Sequence, residues 1–225
     1  MEQAAPHSSG ILTSRPGDGP TEPAAAGTHR IGLGRGRDGL LQVPAGATRP
    51  VPLLIMLHGA GASAQDVLPL VSAAAEEHAV AVLAPDSRGA TWDVLQHAYG
   101  PDTEFLDAAL ARVFAQVPVD PRRIAVGGFS DGASYALSLG LANGDLVRDI
   151  LAFSPGFAAP ARREGTPRLF ISHGRQDPVL PFERCGDRLA AVLAQAGYDV
   201  AYHPFSGGHV VPTQIVEAAF RRFLA

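Results

Sequence analysis

The chain has 225 residues, 46% of them hydrophobic, and a formal net charge of -4, which is ample for one α/β domain with a real core and too acidic for the basic face of a nucleic-acid binder or a membrane-surface protein. All 18 basic residues are arginine, so chemistry that needs a lysine amine, namely a P-loop, a Schiff base or a serine–lysine dyad, is excluded. Cys185 is the only cysteine, which leaves no intrachain disulfide and no thiolate metal cluster.

Residues 1–27 are rich in Pro, Gly, Ala, Ser and Thr and are expected to form an N-terminal arm that is flexible or drapes over the surface, with Ile11, Leu12 and Thr13 able to add a short edge strand. They hold no apolar h-region, and no run elsewhere is long enough to cross a bilayer. Neither a signal peptide nor integral membrane association is therefore expected, and a cytoplasmic location is.

A single domain is expected over residues 28–225. Ile31 to Gly34, a turn at Arg35 to Gly39, and Leu40 to Val43 read as an antiparallel hairpin. Leu53 to Leu57 is a continuous apolar run, the pattern of a strand buried on both faces, and it ends in His58-Gly-Ala-Gly61. Gln65 to His78 is predicted helical, and Ala79 to Ala84 is a second buried strand. A loop at residues 90–101 carries Trp92, and a helix runs from Asp102 or Thr103 to Val117, stopped by Pro118.

Arg123 to Phe129 is an apolar strand that enters Gly128-Phe-Ser-Asp-Gly132 and then an Ala- and Leu-rich helix. A G-x-S-x-G sequence at a strand-to-helix junction holds its serine in a strained conformation at the head of a helix, where flanking glycines admit the neighbouring chain. Beyond it, strands at Asp149 to Phe153, Pro167 to Ser172 and Tyr198 to Phe205 alternate with helices at Glu183 to Ala196 and Pro212 to Leu224. The alternation predicts a mainly parallel sheet with helices on both faces, whose ligands bind at the carboxyl ends of the strands.

A serine hydroxyl needs a base, and the base needs a carboxylate to orient it. His209, just past a late strand and after Gly207 and Gly208, is the candidate base, with His203 as a rival inside the strand. Asp177 follows another strand end and is the candidate carboxylate. An oxyanion would take backbone N–H groups from Asp131, the residue after the serine, and from Ala60. His58 is expected to prop its own loop, and Trp92 and Phe157 are candidate pocket walls. Arg88 and Arg175 lie on the same edge, and Cys185 receives no role.

Together, His58-Gly-Ala-Gly61, Gly127-Gly-Phe-Ser-Asp-Gly132, His173-Gly-Arg-Gln-Asp-Pro178 and Gly207-Gly-His209 resemble the α/β-hydrolase superfamily, within it the carboxylesterase, phospholipase and acyl-thioesterase-like group. The resemblance covers about residues 28–225 and implies a compact α/β-hydrolase fold without a large cap. It further implies a serine hydrolase without cofactor or metal that acts on small-molecule carboxylic esters of short to medium acyl chains. Ser130 would carry the acyl group, His209 would act as base and acid, and Asp177 would orient it. A peptidase or amidase, a thioesterase, and a silent ligand-binding homologue remain open, as does the oligomeric state. Asp131 departs from the glutamine common in this group and puts a carboxylate beside the expected oxyanion site.

Overall fold

The computed structural model describes residues 6–17, 19–47, 49–96 and 98–225. They form an eight-stranded sheet built from β1 (Gly27–Arg30), β2 (Gly39–Val43), β3 (Val51–Leu57), β4 (Ala81–Pro85), β5 (Val119–Phe129), β6 (Asp149–Phe153), β7 (Arg168–Gly174) and β8 (Val200–Phe205), in the spatial order β1-β2-β4-β3-β5-β6-β7-β8. The β1–β2 and β2–β4 pairs are antiparallel, and the pairs from β4 onward are parallel. The hairpin begins four residues earlier than the apolar pattern places it, because Thr28 to Arg30 pair with Leu40 to Gln42.

Every residue of β3 is buried, and its alternation divides the core in two. Leu53, Ile55 and Leu57 face a cluster with Leu106, Leu110, Leu137 and Leu139, contributed by α3 (Pro101–Gln116) and α4 (Asp131–Ala142). Leu54 and Met56 face Val67, Val71, Val216 and Phe220, from α1 (Ala64–Glu77) and α6 (Thr213–Leu224). A strand covered on both faces reads as one unbroken apolar run for this reason. Among the described residues the remaining α-helices are α2 (Asp93–Gln96) and α5 (Gly186–Gln195). Residues 154–167 alone connect β6 to β7, so no cap domain covers the carboxyl edge there. Among the described residues, no helix is long and apolar enough to cross a membrane.

Within the N-terminal arm, residues 10–14 are held against the domain. Leu12 is wholly buried and belongs to the α3/α4 side of the core. Asn143, which caps the end of α4, accepts the Leu12 N–H at 2.8 Å and donates to Gly10 O at 2.7 Å and Leu139 O at 2.8 Å. Asp107 on α3 accepts the N–H groups of Thr13 and Ser14 at 2.8 Å each. Ile11 to Thr13 join no strand, and the N–H groups of Leu12 and Thr13 go to side chains instead. Replacing Asn143 by alanine strands buried backbone groups and is expected to lower stability by about 1–3 kcal/mol. Urea unfolding measures that loss, and limited proteolysis should then cut first near residues 10–16.

Candidate active site

The site is assembled from three strand ends. At the end of β5, Ser130 has φ 58° and ψ -119°, a left-handed conformation that costs a non-glycine residue about 1–3 kcal/mol. Its surroundings hold it there. A Cβ on Gly128 would lie 2.3 Å from Gly132 C, and one on Gly132 would lie 2.2 Å from Leu57 O, so only glycine lets the elbow close onto β3. The Ser130 N–H donates to Phe153 O at 3.0 Å, and its carbonyl accepts the N–H groups of Ala133 and Ser134.

The loops after β7 and β8 are laced together. Gln176 N–H donates to Gly207 O at 2.9 Å, and Gly207 N–H donates to Gln176 Oε1 at 2.6 Å. This lacing brings His209 Nδ1 to 2.6 Å from Asp177 Oδ2. The other carboxylate oxygen, Oδ1, accepts the N–H groups of Val179 and Leu180 at 2.9 Å each. Burial alone would raise the Asp177 pKa, but the bonds from His209, Leu180 and Val179 outweigh it and hold the carboxyl below its ordinary range. The ring of His209 rests 4.7 Å from that of Phe129, and His209 and Ser130 line one cavity of about 400 Å³. Among the described residues no hydrogen bond joins Ser130 Oγ to His209, a contact that tightens in such sites when substrate binds. The rival His203 stacks on Phe170 at 4.5 Å within β8.

The N–H groups of Ala60 and Asp131 are the donors that the sequence nominates for an oxyanion. Asp131 opens α4, so its N–H has no helical acceptor. The turn around Ala60, which lines the cavity, uses the N–H groups of Gly61 and Ala62 and leaves that of Ala60 out. The Asp131 carboxylate is bound by the Thr91 hydroxyl at 2.7 Å, which turns it to the 91 loop and away from the cavity.

The expected pocket walls are corrected. Trp92 is wholly buried, stacks on Tyr135 at 5.0 Å and donates its indole N–H to His58 O at 2.8 Å, so it braces the loop from behind. The Phe157 N–H faces Ser134 Oγ at 3.4 Å, and the residue does not line the cavity. The apolar wall is Val67, Leu70, Phe129 and Val179 instead, with Asp66 beside it. The cue lay in α1, where Val67 and Leu70 stand one turn apart on one face. Arg88 also lies away from the cavity, its guanidinium 3.6 Å above the Phe105 ring.

His58 is buried and holds its loop. Its Nδ1–H donates to Gly59 O at 2.7 Å, while Nε2 accepts from Ser87 N–H at 3.0 Å and Arg37 Nη2 at 3.3 Å. Burial pushes its pKa below the ordinary 6.5, and Arg37 adds to this against the pull of Gly59 O. An imidazole kept neutral by folding leaves stability intact above the unfolded value and erodes it as pH falls from there toward the folded value. Stability should therefore decline below pH 6.5, and His58→Gln should decline less steeply over that window. Chemical denaturation across pH checks this, and identical slopes would contradict it.

Comparison with known proteins agrees with this geometry. The profile of the phospholipase/carboxylesterase family matches residues 102–225. An acyl-protein thioesterase 1 from Gibberella zeae is 34% identical over 117 residues, 46% of this chain and 49% of that protein. A probable feruloyl esterase C from Aspergillus niger is 28% identical over 178 residues, 75% of this chain and 64% of that protein. The chain thus spans about half to two thirds of the length of these curated relatives. Among solved structures, esterase PE8 superposes with a TM-score of 0.67 at 25% identity, covering 83% of this chain and 98% of that one. The Staphylococcus aureus fluorophosphonate-binding serine hydrolase FphF has a TM-score of 0.70 at 16% identity, covering 90% and 99%, a likeness of fold.

Proposed function

Because the chain belongs to the phospholipase/carboxylesterase family of α/β-hydrolases, we propose that it hydrolyses carboxylic esters through an acyl-enzyme on Ser130. The observation that carries the reading is the 2.6 Å bond between His209 Nδ1 and Asp177 Oδ2 beside a strained serine in the same cavity.

Asp177, as an acceptor, fixes the Nδ1–H tautomer of His209 and leaves Nε2 free to take the Ser130 proton. Ser130 Oγ then attacks the acyl carbon. The carbonyl oxygen becomes an oxyanion in front of the Ala60 and Asp131 N–H groups, where one donor is worth roughly 2.7–4 kcal/mol of barrier. Collapse breaks the bond to the leaving alcohol, which takes the proton from His209. Water repeats the sequence on the acyl-enzyme, releasing the acid and restoring Ser130.

The wall of Val67, Leu70, Phe129 and Val179 suits an uncharged acyl group of short to medium length, and the 61% exposure of Val179 leaves the mouth open. Thioesters fit the same step, and the similarity to an acyl-protein thioesterase favours testing them beside oxygen esters.

In a panel of nitrophenyl esters, acyl thioesters and anilides, Ser130→Ala is expected to lose on the order of 10⁶-fold in kcat, with its unfolding midpoint unchanged. Asp177→Asn should lose about 10⁴-fold. Turnover retained in Ser130→Ala would overturn the reading. Asp66 is the carboxylate in the cavity lining, so a hemisuccinate ester should react a few-fold more slowly than the matching butyrate at low salt. Asp66→Asn should narrow that gap, and so should added salt, which screens an exposed charge.

A further inference from the structure

His173 lies near the end of β7, its side chain wholly buried, and the steps above do not use it. Its Nε2 is 2.9 Å from Leu180 O and 3.2 Å from Asp177 Oδ2. That oxygen is the one His209 Nδ1 reaches at 2.6 Å. A carbonyl and a carboxylate can only accept, so the proton of a neutral His173 sits on Nε2 and is shared between them.

The other ring nitrogen agrees. Nδ1 is buried without a hydrogen-bond partner and is pressed against the start of α5, where a Cβ on Gly186 would come within 2.5 Å of it. The positive end of a helix favours a bare lone pair there over an N–H. Phe182 meets the ring edge-on at 6.1 Å between centroids and closes off its rotation.

We propose that His173 is a positioning residue, an Nε2–H donor that fixes Asp177 Oδ2 where the Nδ1–H of His209 must find it. The proposal rests on the Ser130, His209 and Asp177 reading above. Asp177 would then sit at the centre of four N–H groups, from Val179 and Leu180 on one oxygen and from His209 and His173 on the other. The bond to Leu180 O also ties the far end of the 177–180 turn back to β7. Among the described residues, the titratable groups facing His173 are Asp177 and, beyond it, His209; Cys185 is the N-cap of α5, and Arg175 and Tyr202 stack on Phe182.

Removing the donor leaves the Oδ2 charge to His209 alone and, with Oδ1 still held by Val179 and Leu180, loosens the aim of the carboxylate without parting the pair. His173→Leu should lose about tenfold or more in kcat, the scale of a misplaced catalytic group, with KM little changed. The acid limb of its pH–rate profile should move to higher pH, because an Asp177 oxygen with one fewer donor stabilises the His209 cation more. His173→Gln, whose amide nitrogen reaches the place of Nε2, should recover most of the rate and the original limb. Equal losses in both variants, or a limb that stays put in His173→Leu, would overturn the proposal.

Nitrogen NMR of the unmutated protein gives a test free of turnover and of variant folding. The expected pattern is an Nε2–H tautomer for the His173 ring, and an Nδ1–H tautomer would overturn the proposal. A protein that cleaves no ester yet keeps that tautomer would instead count against the functional reading.

Discussion

The structure depends on one steric constraint, the absence of side chains at Gly128 and Gly132. Only without a Cβ at either can β5 turn into α4 against the Leu57 carbonyl, and that turn forces Ser130 to positive φ. The strain is paid for by the sheet. Ser130 N–H is held by Phe153 O, and the parallel register aligns the ends of β3, β5 and β6 so that Leu57 faces Gly128 and Phe129 faces Phe153. The same closeness brings the Gly59–Ala60 turn beside Ser130, where a Cβ on Gly59 would be 3.4 Å from the serine Cβ. The proposed nucleophile and the proposed oxyanion donors are thus products of one packing event.

The second half of the site is electrostatic. Asp177 is nearly buried, and a buried carboxylate stays charged only when its oxygens are bonded. Main-chain donors take one oxygen and ring nitrogens the other, so the charge is both stabilised and aimed. The glycines matter here too, since a Cβ on Gly174 would strike Gly208 O at 2.2 Å and push the two loops apart. At Asp131 the electrostatics are handled by direction: a carboxylate one residue from Ser130 is drawn off by Thr91.

What was legible in the sequence follows from which interactions leave a pattern. The unbroken run at Leu53 to Leu57, the glycines around Ser130 and the chain order of Ser130, Asp177 and His209 are each imposed by burial, a steric exclusion or a topology, and each leaves a local signature. The cavity wall left none that could be separated from a core, because Val67 and Leu70 look like any buried helical face. Trp92 misled because size and loop position say nothing about direction. The arm looked mobile because Asn143 and Asp107 hold it by side-chain bonds to backbone across more than ninety residues, and such bonds have no periodicity. His173 was visible as a letter in a motif, whereas its proton position emerges only from its partners.

The central claim is that Ser130 is an activated nucleophile, and the most direct measurement is intact mass analysis after exposure to a fluorophosphonate, with peptide mapping of the product. A single adduct on Ser130, lost in His209→Ala, is the expected result. A folded protein that takes no label, or takes it on another residue, would contradict the account.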